Sequence, residues 1–174
     1  SPIGDTPPFL LVAGTVLHVS GPKTKRKIPL EKFYLGYRKT ALKRGELISA
    51  VEFDVPAVSE SLALYKTSQR KDLDISAVNA AFRIEWADRG RKKIKTARIA
   101  LGGVAATPVR SYAAEKILRG RAPDPDTLAA ALEALHGSIT PMDDLRGTRE
   151  FRRVLVENLF SKFFREVSAE GAVR

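Results

Sequence analysis

Short runs in which apolar and polar side chains alternate occupy the first hundred residues of the chain. Thr15, Leu17 and Val19 alternate as one face of a strand, and a turn rich in glycine, proline and basic residues follows them. A partly alternating stretch, GELISAVEFDVP, ends where Pro56 stops the pattern. Three further strands are predicted at residues 62–66, 82–86 and 95–101.

The segment that joins the first two of these three strands is dense in charge. Lys66 stands at or near the carboxyl end of its strand, and a loop follows that carries Arg70, Lys71, Asp72 and Asp74. Loops held by rigid strands commonly display binding groups, although a surface turn whose charges neutralise one another is the alternative. Beyond the loop, Asp74 or Ser76 as N-cap and apolar residues at 78, 81 and 82 predict a short helix.

Helical spacing replaces strand alternation after residue 110. Helices are predicted at residues 112–118, 127–135 and 148–167, with Thr140, Pro141 and Asp143 resembling a capping box before the last one. The predicted apolar stripe of the last helix consists of Phe151, Leu155, Leu159, Phe163 and Val167, widened by Phe160 and Phe164. The pattern therefore predicts an α+β fold, in which a three-stranded antiparallel sheet packs on a small helical bundle over residues 58–174.

The composition is that of a globular protein with a basic surface. The chain has 174 residues, 44% of them hydrophobic and 29% charged, with no cysteine and a formal net charge of +10. No apolar stretch approaches the roughly 20 residues of a membrane span, and the absence of disulfides fits the cytoplasm. The charge leaves a nucleic-acid partner open, but aromatic residues are not interleaved with the basic clusters as single-strand binding platforms require.

Few residue combinations point to catalysis or metal binding. The two histidines, His18 and His136, stand far apart in different predicted elements, so neither a metal site nor a Ser-His-Asp triad is expected. Asp143 and Asp144 are adjacent in sequence and do not share a helical face, which argues against acid–base work by the pair. No catalytic residue and no metal ligand is assigned.

Six segments, in order, resemble the flavin subunit of the molybdenum hydroxylases, the superfamily of xanthine dehydrogenase and carbon monoxide dehydrogenase. They cover nearly the whole chain. The segments are SPIGD (1–5), FYLGYRKTAL (33–42), GELI (45–48), YKTSQRKDLDISAVNAAF (65–82), ARIALGGVAATPVR (97–110) and TPMDDLRGTREFRR (140–153). The resemblance implies that residues 1–57 are a remnant of an α/β FAD-binding domain and that residues 58–174 are the C-terminal flavoprotein domain.

The resemblance also assigns three cofactor-binding residues. Asp5 matches the family acid that hydrogen-bonds the cofactor, although it is equally placed to be the N-cap of the segment that follows. Ile48 matches a position that lies on the flavin, and an ordinary strand residue is the alternative. Lys66 matches a lysine at the cofactor, where a fixed cation would stabilise the negative charge that flavin reduction builds around N1 and the C2 carbonyl.

The resemblance implies that the chain is part of a longer oxidoreductase subunit. Such a subunit relays electrons from iron–sulfur clusters, fed by a molybdenum-binding subunit, through FAD to NAD in the cytoplasm. The family's glycine-rich pyrophosphate loop is absent here, so we expect weak or no FAD binding by this stretch alone and exposed apolar surface that could support a homodimer. The alternatives are a non-catalytic basic docking module for partner subunits and, as a remoter case, a nucleic-acid binder.

Overall fold

Two main antiparallel sheets, a two-stranded ribbon and a layer of helices build the chain, as seen in a computed structural model that describes residues 1–172, with side chains described through residue 169. The first half contains one helix, the first main sheet, the ribbon and a single 3-10 turn at 30–32. Its elements are α1 (Thr6–Val12), β1 (Val16–Ser20), β2 (Lys25–Pro29), β3 (Tyr34–Gly36), β4 (Lys39–Thr40) and β5 (Leu47–Glu52). The order β2-β1-β5 forms one sheet, and β3 pairs with β4 in a small ribbon.

One face of the β2-β1-β5 sheet closes a small core against α1. Leu17 and Val19 are buried in it, which agrees with the predicted alternation. They pack with Leu11, Val12, Ile28, Leu30 and Phe33. Strand β5 differs, because it lies at the sheet edge and all six of its residues are exposed.

The second main sheet, called the second sheet below, has the strand order β6-β7-β8-β9. It contains one strand more than the three predicted. Its elements are β6 (Ser61–Thr67), β7 (Val78–Trp86), β8 (Ile94–Gly102) and β9 (Val109–Arg110). The additional strand is only two residues long, and Val109 and Arg110 pair with Leu101 and Ala100 at the sheet edge. A pair of residues shows no recognisable alternation, so the sequence pattern could not reveal it.

The predicted helix over residues 74–82 is wrong, because residues 78–82 begin strand β7. Val78, Ala80 and Phe82 face the helical layer, whereas Ala81 packs into the core formed by α1. A strand that is buried on both faces shows a continuous apolar run, and periodicity alone cannot separate such a run from a short helix. The sheet is therefore the shared wall between two cores.

Three helices cover the other face of the second sheet: α2 (Tyr112–Leu118), α3 (Pro125–His136) and α4 (Arg149–Ala172). The Asp124 carboxylate caps α3 by accepting a hydrogen bond from the Thr127 N–H at 2.8 Å. The capping box predicted at Thr140 is absent, since Thr148 Oγ1 caps α4 by accepting from the Phe151 N–H at 3.1 Å. The buried face of α4 is also rotated from the prediction, and Phe151 is 46% exposed.

Aromatic rings join α4 to the sheet. The Phe82 ring on β7 lies 5.4 Å from the Phe160 ring and 5.3 Å from the Phe163 ring, measured between centroids. Edge-to-face and tilted contacts of this kind stabilise by about 0.5–1.5 kcal/mol beyond the area they bury. The contacts fix α4 against β7, and thereby fix the first turn of α4 next to the strand ends that carry the candidate site.

Candidate functional site

Three cross-strand partners bring the candidate site to one end of the second sheet. Lys66 on β6 lies opposite Asn79 on β7, and Asn79 lies opposite Gly102 on β8. Directly paired residues project from the same face of an antiparallel sheet, and this is the face that packs on α1. Lys66 is the penultimate residue of its strand, as the sequence predicted.

The structure brings Asp5 and Lys66 together. Lys66 Nζ donates to Asp5 Oδ2 at 2.8 Å and to the backbone carbonyl of Asp74 at 2.7 Å. The Lys66 side chain is 41% exposed and that of Asp5 is 50% exposed, so the ion pair stands at the surface. An ammonium group carries three N–H donors, and the described contacts use two of them. One donor of Lys66 therefore remains for a ligand.

The other oxygen of Asp5 is held from the protein interior. Ser76 Oγ donates to Asp5 Oδ1 at 2.5 Å, and Asn79 Nδ2 donates to the same oxygen at 3.3 Å. Hydrogen bonds from Lys66 and Ser76 outweigh burial and lower the pKa of Asp5 below its ordinary value. Asp5 does precede α1, but its side chain forms no capping hydrogen bond, so the alternative N-cap role is only positional.

In the charged loop after Lys66, the Asp74 carboxylate stabilises the loop's own backbone. Asp74 accepts hydrogen bonds from the backbone N–H groups of Arg70 and Ile75, each at 2.9 Å. The Arg70 backbone N–H is the main cause of a lowered pKa for Asp74. Leu73 has a φ of 52° and is 97% exposed, an unusual conformation for a non-glycine residue at the loop tip. Lys71 and Asp72 are exposed beside it.

A groove of about 730 Å³ opens beside the segment that leads into Asp5. It is lined by Ser1, Pro2, Ile3, Tyr37, Arg38, Gly103, Ala105, Met142, Asp144, Arg146 and Arg152. Three of these side chains are guanidinium groups: Arg146 and Arg152 are paired with Asp144, and Arg38 lies over the Tyr37 ring. The groove and the Asp5–Lys66 pair are adjacent along the chain through residues 1–5.

Arg152, a residue that the sequence reasoning missed, clamps the floor of this groove. It is 2% exposed, and its Nη1 donates to the carbonyls of Ala77 and Gly103, each at 2.6 Å. Its Nη2 pairs with Asp144 at 2.5 Å. Burial opposes ionisation of Asp144, but the Arg146 backbone N–H and the Arg152 guanidinium hold its pKa below the ordinary value. The i, i+4, i+8 spacing of Arg152, Val156 and Phe160 is the signal that could have found it.

The glycine pair at the end of β8 permits close backbone contact. A Cβ at Gly102 would overlap Asn79 Oδ1, and one at Gly103 would overlap the Ala77 carbonyl. Gly103 also has a φ of 80°, which favours glycine, and its N–H donates to the Pro2 carbonyl at 2.7 Å. The pair thus anchors the chain segment that carries Asp5.

Ile48 does not join the Asp5–Lys66 pair in any described contact. It lies on edge strand β5, opposite Val19, and is 39% exposed. The turn before β5 is fixed by Glu46, whose carboxylate accepts from Arg26 at 2.7 Å and from the Lys43 N–H at 2.6 Å. These hydrogen bonds lower the pKa of Glu46 to about 2.

Other chemistries find little support in the described residues. The side chains described through residue 169 include no group of three His, Asp or Glu that could hold a metal ion. None of the helices within that range has the length and apolarity to cross a membrane. Several basic residues are paired with acids, including Lys27 with Glu52 at 3.0 Å and Lys95 with Glu85 at 2.5 Å. Such pairing weakens the argument for a nucleic-acid interface.

Comparison with known proteins identifies the protein families that share this architecture. The family described as the CO dehydrogenase flavoprotein C-terminal domain matches residues 63–167, and the FAD binding domain in molybdopterin dehydrogenase matches residues 1–57. The chain belongs to the FAD-binding part of the molybdenum hydroxylase family. The flavoprotein C-terminal domain alone matches more than half of the chain.

Individual relatives agree with this membership. The chain is 34% identical over 172 residues to the nicotinate hydroxylase of Emericella nidulans and 31% identical over 179 residues to the xanthine dehydrogenase of the same organism. These alignments cover 97% and 100% of the chain but only 13% of each relative. Carbon monoxide dehydrogenase from Hydrogenophaga pseudoflava shares the fold, with a TM-score of 0.89 and 24% identity over 98% of this chain and 58% of that one. The α+β fold class is confirmed.

Proposed function

We propose that Asp5, Ile48 and Lys66 are cofactor-binding residues in the FAD-binding subunit of a xanthine dehydrogenase-like oxidoreductase. The observation that carries the proposal is the Lys66 ammonium, which Asp5 and the Asp74 carbonyl hold in place with one N–H donor left over. Family membership supplies the cofactor class, since residues 1–57 match an FAD binding domain. No residue of the chain is proposed to be catalytic.

The residues present fit a flavin on chemical grounds. FAD, when bound, supplies the ability to accept and pass on electrons. This chain places the positive charge of Lys66 where negative charge develops on the flavin. The ion pair with Asp5 keeps the Lys66 ammonium in position. Ile48, exposed on β5, offers an apolar surface for a planar ring. Arg38, which lines the groove and lies over the Tyr37 ring, suits the anionic remainder of a dinucleotide.

The wider assembly belongs to the same proposal. The chain spans about an eighth of the curated relatives and 58% of the carbon monoxide dehydrogenase chain that it matches. We assign residues 1–57 to an FAD-binding domain and 58–174 to the flavoprotein C-terminal domain. In the natural protein, electrons pass from iron–sulfur clusters, fed by a molybdenum-binding subunit, through FAD to NAD in the cytoplasm. FAD binding by residues 1–174 in isolation is expected to be weak.

The exposed edge strand supports contact with other protein segments. Leu47, Val51 and Phe53 are 59%, 44% and 43% exposed on or beside β5, and the strand's outer backbone edge has no partner strand in the described sheet. Unpaired strand edges with apolar side chains are ready templates for pairing. We propose that partner segments of the natural assembly, or a second copy of the chain, cover this edge.

The proposal is tested by measuring FAD affinity in the natural protein. Lys66→Met removes the charge and keeps the length of the side chain, and we expect FAD binding to weaken by about tenfold, or about 1.4 kcal/mol. The matched control is Lys95→Met, because Lys95 also sits in an exposed ion pair on a strand, with Glu85 at 2.5 Å. Equal FAD affinity in the two variants would refute the assignment of Lys66.

A further inference from the structure

Two buried polar side chains converge on the Asp5 carboxylate from the segment that opens β7. Ser76 is fully buried and Asn79 is 2% exposed. Besides its contact with Asp5, Asn79 Nδ2 donates to the Gly4 carbonyl at 2.9 Å. A hydroxyl or an amide in such a place destabilises the fold unless it is hydrogen-bonded. The described partners of the Ser76 hydroxyl and the Asn79 NH2 group lie in residues 3–5, whereas Asn79 Oδ1 is buried without a described partner.

The two oxygens of Asp5 are divided between the interior and the surface. Both buried donors hold Oδ1, and Oδ2 is left to Lys66. A carboxylate bound on one side only could rotate and take the lysine with it, whereas donors on both sides fix its plane. Gly102 makes this arrangement feasible, because a side chain at that position would displace the Asn79 amide.

We infer that Ser76 and Asn79 are positioning residues that fix the Asp5 carboxylate and, through it, aim the Lys66 ammonium at the bound cofactor. The inference rests on the proposed function for the identity of the cofactor. The contacts that run from Ser76 and Asn79 through Asp5 to Lys66 do not depend on it. Neither residue touches the cofactor. Their effect is transmitted by Oδ1 of Asp5 to Oδ2 and from there to Nζ of Lys66.

The first test needs no cofactor. The rate at which acetic anhydride modifies Lys66, read by mass spectrometry, reports how firmly its amine is held. We expect Ser76→Ala and Asn79→Ala each to raise this rate about fivefold, while the modification of Lys95 in the same sample stays constant. Ser111→Ala is the control for a buried hydroxyl, since Ser111 is also fully buried and bonds Ser138 at 2.7 Å away from the site. An unchanged Lys66 rate in both variants would overturn the inference.

The second test is a double-mutant cycle on FAD affinity in the natural protein. If Ser76 acts through Lys66, Ser76→Ala weakens FAD binding about fivefold when Lys66 is present. In the Lys66→Met background the same substitution weakens FAD binding less than about twofold. A purely structural role would produce the same loss in both backgrounds, and that result would overturn the inference. If Lys66→Met leaves FAD affinity unchanged while Ser76→Ala still speeds Lys66 acetylation, the proposed function fails and the positioning of Lys66 by Ser76 stands.

Discussion

Replacing Arg152 by methionine should destabilise the protein strongly, because this guanidinium is the only described donor to two backbone carbonyls at the base of the groove. Methionine keeps much of the side-chain length and apolar stem, so the change removes the charge and its donors and little else. The carbonyls of Ala77 and Gly103, each 2.6 Å from Nη1, would lose their partner in a region where Arg152 is 2% exposed.

The expected magnitude follows from the contacts. Hydrogen bonds to charged groups contribute about 1.5–3 kcal/mol each, so the loss of two gives about 3–6 kcal/mol. The apolar packing of methionine and the relief of the orphaned Arg152 Nε offset part of this sum. We therefore expect the free energy of unfolding to fall by about 4 kcal/mol, inside the range set by the two hydrogen bonds to the charged group.

Urea denaturation, followed by circular dichroism and by tryptophan fluorescence, measures this loss. Trp86 is the only tryptophan and is buried in the second sheet, so fluorescence reports the same core that Arg152 closes. Arg165→Met, on the exposed side of the same helix, is the control and should change stability by less than about 0.5 kcal/mol. If Arg152→Met loses less than about 1 kcal/mol, water satisfies the two carbonyls and the clamp described here is wrong.

Three further predictions concern the core and the turns around the site. Phe82→Ala, at a fully buried ring that contacts Phe160 and Phe163, should lower the free energy of unfolding by about 3–5 kcal/mol in the same urea assay, and a loss under about 1 kcal/mol would contradict the packing. Gly103→Ala combines a φ of 80° with a clash against the Ala77 carbonyl, so thermal melting should show a loss above about 2 kcal/mol. The pKa of Glu46 is lowered from 4.5 to about 2, so its carboxylate stabilises the fold above the unfolded pKa and loses this effect as pH falls toward 2. Glu46→Gln should therefore flatten the dependence of the free energy of unfolding on pH over that window. An unchanged pH dependence would refute the Arg26 pairing as the cause of the lowered pKa.

The sequence predicted the strands and helices with strong periodicity and failed where burial on two faces hid the period. Strand β1 and helices α2 and α3 were expected within a few residues of where they lie. Val78, Ala81 and Phe82 match helical spacing and so predict a helix over residues 78–82, yet the segment forms a strand between two cores. Secondary structure in this segment is decided by tertiary packing, which local propensity does not encode.

The candidate site could be predicted only in part for a similar reason. Asp5 and Lys66 stand 61 positions apart, and only the folded chain shows that they form an ion pair at 2.8 Å. Residue type alone gave no indication that Ser76 and Asn79 serve the same carboxylate, since Ser76 fitted a helix N-cap equally well. Arginine is almost never fully buried unless it is paired, so residue type alone does not predict that Arg152 lies in the interior.

The central claim, that Lys66 is the cofactor-facing cation of an FAD site, is tested most directly by a crystal structure of the natural protein with FAD bound. The account predicts a flavin oxygen or nitrogen at about 2.7–3.2 Å from Lys66 Nζ, with Asp5 Oδ2 still paired to the same amine. A flavin bound elsewhere, with Lys66 in contact only with Asp5 and the Asp74 carbonyl, would contradict it.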